Sequence, residues 1–331
     1  MNVAQKKTVE PGAIQRKQRL KRVLLVLGVV LLGWLGWESY RARQERGARL
    51  MIEARGGRVQ YDYQFVRDHF VPNAQPPVPQ WMLNTFGPDY FSHIVVVNLE
   101  GTAVTDADLL ALQPLQGLRV VNLMRTRIGD AGLAHLPVAS RLNSLWLSGT
   151  QVTDQGLRRV GEIPALEILW LDSTPITDAG VASLSSLKRL KILGLGHTKI
   201  SSQSLSTLAQ LSKLELLFLG DTSISSQNMD RLAQLPRLKR LWLSGTQIDD
   251  QGLSALGNIA TLERLWLDHT GVSDAGLKHL YKLKHLNSIS LHATQVSLTG
   301  AAYLHHALPQ LKVDWNITTS ALPASSAIPQ P

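Results

Sequence analysis

The sequence predicts an α/β solenoid of about nine 24-residue repeats, preceded by one transmembrane helix. Two observations lead to this fold class. A threonine recurs every 24 residues through most of the 331-residue chain, with no insertion between copies. Near the N-terminus, a cluster of basic residues precedes fifteen residues without a charge. A fixed period of this length is typical of stacked supersecondary units.

Composition places the chain among globular proteins, since 44% of its residues are hydrophobic and 18% are charged. The chain has no cysteine, so disulfides, thiolate metal sites and a catalytic thiol are all excluded. The net charge of +9 is concentrated at the N-terminus: residues 1–93 contain 14 Lys and Arg against 7 Asp and Glu, whereas residues 94–318 contain 20 against 18. A nearly neutral repeat region argues against a nucleic-acid partner.

The N-terminal part predicts membrane attachment. Residues 1–22 are a basic segment, and residues 23–37 read VLLVLGVVLLGWLGW. An uncleaved signal anchor is favoured because no A-x-A-like site follows; a cleaved signal and a buried helix are the alternatives. Fifteen residues fall short of the roughly 17–25 of a typical span, but Lys21 and Arg22 can extend it by snorkelling.

The charges around this segment predict its orientation. Seven Lys and Arg precede residues 23–37, and five follow within the next twenty residues or so. The positive-inside rule therefore predicts a single-pass protein of the inner (cytoplasmic) membrane, with a cytoplasmic N-terminus and the repeats on the extracytoplasmic side.

Each repeat fits the unit L-x-x-L-x-L-x-x-T-x-[IV]-[TS]-D-x-G-L-x-x-L within residues 94–318. The L-x-L alternation predicts a short strand with its leucines on one face. The following Thr or Ser and Asp predict a helix start, since the hydroxyl caps and the carboxylate faces the positive helix end. Apolar residues three apart predict one buried helix face. Such units must stack to bury their leucines.

The recurring threonine is expected to be buried and to bond backbone groups of its own and the next repeat, because a buried polar group needs a partner. This structural ladder comprises Thr102, Thr126, Thr150, Thr174, Thr198, Thr222, Thr246, Thr270 and Thr294.

These motifs resemble a leucine-rich repeat solenoid, the α/β horseshoe. The T-x-[IV]-[TS]-D-x-G-L half is similar to the repeats of F-box-associated proteins, and closer still to bacterial, planctomycete-type leucine-rich repeat proteins with an N-terminal membrane anchor. The leader segments 56–64, 79–81 and 87–91 are similar to that type too. The resemblance implies the fold and a binding role. No F-box is visible, so it does not imply a role in ubiquitin ligation.

Three further segments complete the predicted organisation. Residues 38–58 are expected to be a charged juxtamembrane connector that holds the solenoid off the bilayer. Residues 59–93 are expected to form an N-terminal cap that begins with a strand, because an open solenoid end exposes leucines. Residues 319–331 are rich in Ala, Ser and Pro and predict a disordered tail.

Two stretches recur with an offset of 96 residues, or four repeats. Residues 145–151 read LWLSGTQ, as do residues 241–247, and residues 169–172 read LWLD, as do residues 265–268. A block duplication is the simplest source of this similarity.

Strand side chains that do not enter the core are expected to line the concave surface. There, aromatic residues and an arginine pair predict a ligand-binding face for a protein or a glycan. Aromatic stacking for stability alone is the alternative. The arginines could grip a carboxylate or phosphate, or pair with nearby acids. The predicted face comprises Trp146, Trp170, Asp172, Gly194, Gly196, Phe218, Arg240, Trp242, Arg264 and Trp266.

Glycines in the middle of this face predict an apolar notch. Gly194 and Gly196 lie on the repeat between those of Trp170 and Phe218, and Gly220 lies on the repeat of Phe218. Glycine in a strand often marks the close approach of another molecule.

Catalysis is not predicted. Ser244, Asp268 and His292 fall on successive repeats, but the aspartate is in the middle, whereas a nucleophilic triad needs the histidine there. The pair His305 and His306 lacks further ligands at metal-site spacing. We therefore expect a non-enzymatic, membrane-anchored interaction module without metal or cofactor. A structural envelope protein without a specific ligand is the alternative, and the oligomeric state is not predicted.

Overall fold

The computed structural model describes residues 11–66, 69–72, 74–137 and 141–315. The first ten residues and the predicted tail 319–331 lie outside the described residues.

Within these ranges the chain forms short strands that alternate with short helices after one long N-terminal helix. The α-helices are α1 Pro11–Ala54, α2 Gln80–Phe86, α3 Asp130–Leu133, α4 Asp154–Val160, α5 Asp178–Ala182, α6 Leu205–Leu208, α7 Asp250–Leu256, α8 Asp274–Leu277 and α9 Leu298–Ala307. The strands are β1 Arg58–Tyr61, β2 Phe65–Val66, β3 His69–Phe70, β4 Ile94–Asn98, β5 Val120–Asn122, β6 Ser144–Trp146, β7 Ile168–Trp170, β8 Ile192–Gly194, β9 Leu216–Phe218, β10 Arg240–Trp242, β11 Arg264–Trp266, β12 Ser288–Ser290 and β13 Lys312–Asp314. Short 3-10 helices at Asp106–Leu112 and Met229–Gln234 form the helical half of two further repeats, and another at Ser202–Ser204 directly precedes α6.

Eleven strands form one sheet, in the order β1, β4 and then β5 to β13 along the chain. β1 is antiparallel to β4, and the later pairs are parallel with an offset of 24 residues, so that Leu145 lies beside Leu169 and Trp146 beside Trp170. One strand per repeat in unbroken order confirms the predicted solenoid.

The core lies between the sheet and the helical half of the repeats. The two strand leucines of a repeat, such as Leu145 and Leu147, are fully buried. The apolar helix residues of the same repeat, Leu157 and Val160, are fully buried as well. Stacked units therefore share one continuous core, as the spacing of the apolar residues predicts.

The threonine hydroxyl bonds within its own repeat. Thr150 Oγ1 donates to the Leu147 carbonyl at 2.6 Å, and Thr198 Oγ1 donates to the Leu195 carbonyl at the same distance. The expected bond from this hydroxyl to the next repeat is not among these contacts, because the backbone of the next strand is already paired. Thr102, at the end of the ladder, is only half-buried.

The residue before each ladder threonine adopts the left-handed region, with φ between 52° and 70°. Its N–H donates to the next repeat, as from Ser173 to the Gly196 carbonyl at 2.8 Å. Left-handed backbone costs a non-glycine residue about 1–2 kcal/mol. Three of the nine positions are glycine; the set is Gly101, Arg125, Gly149, Ser173, His197, Asp221, Gly245, His269 and Ala293.

An aspartate ladder connects the repeats. The Asp130 carboxylate accepts hydrogen bonds from the Thr153 backbone N–H at 2.8 Å and the Thr153 hydroxyl at 2.6 Å. That hydroxyl also caps α4 by accepting from the Gln155 N–H. Gly156 lies two residues after Asp154, the aspartate of its own repeat. A β-carbon at Gly156 would overlap Asp130 of the preceding repeat, which explains why glycine stands there. The same pairing recurs at Asp154 with Thr177, Asp178 with Ser201, Asp250 with Ser273 and Asp274 with Ser297.

The N-terminal helix α1 runs without a break from the apolar segment into the cap. Ala48 and Ile52 are buried and belong to the same core as the sheet. The helical part of residues 38–58 therefore also covers the end of the solenoid, in addition to joining it to the apolar segment. The strand expected at the start of the cap ends at Tyr61, where a 3-10 turn Asp62–Gln64 begins.

Ion pairs fix this helix to the cap. Buried Glu45 accepts from Arg41 Nη1 at 2.8 Å and from the Ile94 N–H at 2.9 Å. The Oε1 atom that pairs with Arg41 also contacts His93 Nδ1 at 3.1 Å, and this hydrogen bond raises the pKa of His93. Charged residues in pairs can be buried where single charges cannot.

Candidate functional site

The concave strand residues form a column in register. Trp146, Trp170, Gly194, Phe218 and Trp242 occupy equivalent positions of neighbouring strands, and the column continues to Trp266. The aromatic side chains in it are half-buried. Parallel pairing places equivalent side chains about 5 Å apart, which is within reach of ring stacking.

Four of these rings form a continuous stack. The ring centroids of Trp242 and Trp266 are 3.5 Å apart at an interplanar angle of 8°, and those of Phe218 and Trp242 are 3.9 Å apart at 19°. Trp170 packs against Phe218 at 4.7 Å and 47°. Both faces of Trp242 are therefore covered by neighbouring rings, and the stack presents ring edges. Ring edges carry the positive part of the aromatic quadrupole.

The predicted notch is filled. Gly194 is buried, and a β-carbon there would overlap the Trp170 ring. Because Gly194 has no side chain, Trp170 leans across it and reaches Phe218, two strands away. The expectation of an open apolar notch between these aromatic residues is therefore wrong.

The Asp172 side chain links the strand ends of neighbouring repeats in this region. Its Oδ1 accepts from the Gly196 N–H at 2.7 Å, and its Oδ2 accepts from the Ser148 hydroxyl at 3.1 Å. Burial raises the pKa of Asp172, although these two hydrogen bonds act in the opposite direction. The carboxylate thus joins three neighbouring repeats rather than standing free at a rim.

Trp146 is the one tryptophan of the predicted face that stays outside the stack. It lies beside Trp170 in register, but Trp170 packs towards Phe218 instead. The Trp146 indole N–H is buried and has no hydrogen-bond acceptor among the described residues.

The arginine pair lies next to the stack. Arg240 and Arg264 are in register on neighbouring strands, two residues before Trp242 and Trp266 on the same face. Arg264 is exposed and Arg240 is half-buried. Within the described parts of the chain, neither guanidinium has a hydrogen bond or an ion pair.

Two acids that precede earlier strands of the same sheet are paired with other cations. Glu167 contacts Lys191 at 2.6 Å, and Glu215 lies 3.7 Å from Lys239. The contact with Lys191 lowers the pKa of Glu167. Pairing of Arg240 or Arg264 with a nearby acid, one of the two interpretations of the arginine pair, is therefore not seen among the described residues.

The arrangement of Ser244, Asp268 and His292 does not resemble a catalytic site. Ser244 Oγ donates to Asp268 at 3.1 Å, and the His292 backbone N–H donates to the same carboxylate at 2.8 Å. The His292 ring lies 2.9 Å from Asp314. Among the described residues, no cluster of three or more His, Cys, Asp or Glu could hold a metal ion.

Sequence reasoning missed two features that shape this surface. The aspartate ladder has a signal, since each [TS]-D pair is followed 23 residues later by the next Thr or Ser. No sequence signal predicts that the space at Gly194 is filled, because this depends on the direction in which the Trp170 ring of the adjacent strand leans.

Comparison with known proteins supports the fold. A family model described as a leucine-rich repeat matches residues 235–257. No curated protein matches the sequence. An internalin C2 (inlC2) from Listeria monocytogenes is 27% identical, with a TM-score of 0.51, over 65% of this chain and 85% of that chain. An internalin (inlF) from the same organism is 24% identical, with a TM-score of 0.54, over 67% of this chain and 58% of that chain.

The second alignment thus spans less than two thirds of the internalin inlF chain. Leucine-rich repeat folds are in general protein-interaction modules. The described N-terminal residues include one helix, from Arg22, that is long and apolar enough to cross a membrane, a property that signal sequences share. The chain therefore has the fold of a leucine-rich repeat solenoid preceded by one candidate transmembrane helix.

Proposed function

We propose that this protein is a membrane-anchored interaction module that binds an acidic segment of a partner protein on its concave face. The observation that carries this proposal is the arginine pair, Arg240 and Arg264, which lies unpaired beside the aromatic stack. Two like charges on neighbouring strands repel each other, so a carboxylate between them would relieve a cost already present in the fold. Arginine binds carboxylates with two parallel hydrogen bonds.

The stacked rings favour a protein over a glycan. Carbohydrate recognition uses the open face of an aromatic ring, but both faces of Trp242 are covered by Phe218 and Trp266. Ring edges attract negative charge and pack well against extended peptide. Tryptophan and arginine together are also the residues most enriched at the centres of protein interfaces.

Membrane anchoring completes the proposal. The side chains of residues 23–37 are apolar and solvent-exposed around the helix, including Leu25 at 71% and Leu32 at 70%. Such a helix cannot be a buried core helix, and lipid is the environment in which these side chains are stable. The basic N-terminal segment supports a cytoplasmic N-terminus with the solenoid on the extracytoplasmic side.

A photocrosslinking experiment in the native cells tests the concave face. A photoreactive amino acid at Ser244 lies beside the stack, and one at exposed Ser254 on α7 is the convex control. We expect a protein adduct from position 244 that is absent at position 254. Arg240→Glu with Arg264→Glu should abolish the adduct, because a carboxylate partner is then repelled.

The matched control changes the same net charge in the same part of the solenoid. Arg231 and Arg237 are exposed and lie in and after the 3-10 helix Met229–Gln234. Arg231→Glu with Arg237→Glu should leave the adduct intact. An adduct that is equally strong in both double variants would contradict an acidic partner. An adduct at position 244 whose mass falls after glycosidase treatment would indicate a glycan. If position 244 gave no adduct, the structural scaffold would be favoured.

A further inference from the structure

We infer that the N-terminal cap carries a second membrane contact, an aromatic surface of Phe70, Trp81 and Phe86 that lies on the lipid headgroups beside the anchor. This inference rests on the proposed membrane anchoring, and its occupant is a lipid surface. We call these three residues the cap aromatic surface.

The cap concentrates exposed apolar side chains. Trp81 is 65% exposed, Phe86 48% and Phe70 44%, with Val71 at 38% beside them. Outside α1, the one other large hydrophobic side chain of comparable exposure among the described residues is Leu110. Four exposed apolar side chains within residues 70–86 are a concentration that indicates an interaction surface rather than random exposure.

The cap aromatic surface is held close to the end of the proposed span. Trp37 ends the apolar segment, and Arg41 follows one helical turn later, about 6 Å along the axis. Arg41 Nη2 donates to the Tyr90 carbonyl at 3.0 Å. The Tyr90 ring packs against Phe86 at a centroid distance of 5.3 Å. The aromatic cluster of the cap is therefore tied to the first turn of α1 beyond the span.

The connection between α1 and the cap cannot act as a loose hinge. Asp89 accepts from Arg49 Nη2 at 3.2 Å and from the Tyr61 hydroxyl at 2.6 Å, and it is almost fully buried. One turn nearer the membrane, Glu45 joins Arg41 to the Ile94 backbone. Two buried acidic groups, Glu45 on α1 and Asp89 in the cap, fix both the rotation of the helix and its distance from the cap, so the cap cannot move away from the bilayer independently of α1.

Charge on the free side of α1 favours a lipid surface over a protein. Arg43 and Arg46 are exposed, and they follow the span by six and nine residues. Neither has an ion pair within the described residues. Cations at this depth face lipid phosphates, while tryptophan and other aromatic rings prefer the interface itself. The cap and α1 thus offer the exposed cations and the exposed aromatic rings that bind to a lipid interface.

The test uses the full chain, which contains no natural cysteine, in vesicles of phosphatidylethanolamine and phosphatidylglycerol. Single variants Trp81→Cys, Leu31→Cys and Leu110→Cys carry an environment-sensitive fluorophore, and lipids labelled with nitroxide near the headgroup act as quenchers. Position 31 reports insertion of the anchor. Leu110 is the matched apolar control, because its 3-10 helix contacts Arg55, about 20 Å further along α1 than Arg41.

We expect quenching at positions 31 and 81 and none at position 110. Quenching at position 31 without quenching at position 81 would overturn the cap contact and leave the anchor intact. Absence of quenching at position 31 would contradict the anchor and the cap contact together. Quenching at all three positions would contradict a specific surface. Phe86→Cys provides an independent second label, and circular dichroism checks that each labelled chain is folded.

Discussion

Two blocks of the repeat region have nearly the same strand sequences but build different surfaces. Residues 145–172 and 241–268 share the LWLSGTQ and LWLD stretches, and in both blocks a serine hydroxyl donates to an aspartate Oδ2 at 3.1 Å. In the second block, Trp266 stacks on Trp242. In the first, Trp170 turns away from Trp146 and packs on Phe218.

The difference lies in the strand that follows each block. Gly194 follows the first block, and Ser290 occupies the equivalent position after the second. Gly194 leaves room for the Trp170 ring, whereas the Ser290 hydroxyl donates to Asp268 at 2.5 Å. In a solenoid, the neighbouring repeat therefore decides the side-chain arrangement of a strand whose own sequence is unchanged.

The largest loss of stability is expected for core leucine variants, and it should be the same in both blocks. Leu171 and Leu267 are both fully buried at equivalent core positions. Leu171→Ala and Leu267→Ala should each lower the free energy of unfolding by about 2–5 kcal/mol, because each leaves a cavity in a closely packed core. Denaturant unfolding of the full chain in detergent measures both. A loss below about 1 kcal/mol at one position alone would contradict equivalent packing of the two blocks.

A variant with a smaller expected effect on stability should give the first block the ring arrangement of the second block. In Gly194→Ser the new side chain overlaps the present position of Trp170, so the ring should move onto Trp146 and form the stack seen between Trp242 and Trp266. Overpacking should lower the free energy of unfolding by about 1–3 kcal/mol. A crystal structure of the variant gives the ring positions, and unfolding gives the energy.

Ser290→Gly is the matched control for this exchange. It removes one hydroxyl donor from Asp268 and should cost about 0.5–1.5 kcal/mol. If Trp170 kept its contact with Phe218 in Gly194→Ser, the neighbouring strand would not be the cause of the difference.

The fold could be predicted from the sequence because the 24-residue period fixes strand, turn and helix together. The buried positions follow from the same period, and residues such as Leu145 and Leu157 are buried as expected. The role of the segment after the anchor could not be predicted. Glu45 and Arg41 read as solvated charges in the sequence, but they are buried as a pair against the cap.

The candidate surface was predictable in its composition and not in its conformation. The column of aromatic residues and the arginine pair lie where the strand register places them. The left-handed residue before each threonine gave no signal, because non-glycine residues such as His197 and Asp221 occupy it. Backbone hydrogen bonds to the next repeat impose that conformation on whatever residue is present.

The smallest expected effect concerns the two aspartates. Burial raises the pKa of Asp172 above its ordinary value of 3.8, so its protonated form is favoured in the folded state. The resulting stabilisation is fully present below the unfolded pKa and is lost as pH rises through the raised folded pKa. Asp172→Asn keeps an acceptor for the Gly196 N–H and should remove this part of the decline. In the second block, Asp268→Asn should instead destabilise the fold at neutral pH, because Asp268 accepts from Ser290 as well as from two neighbours. Unfolding in guanidinium between about pH 4 and 7 measures the pH dependence for Asp172→Asn, and the same measurement at about pH 7 gives the loss for Asp268→Asn. If wild type and Asp172→Asn showed the same pH dependence of unfolding, a raised pKa of the buried Asp172 carboxyl group would be contradicted.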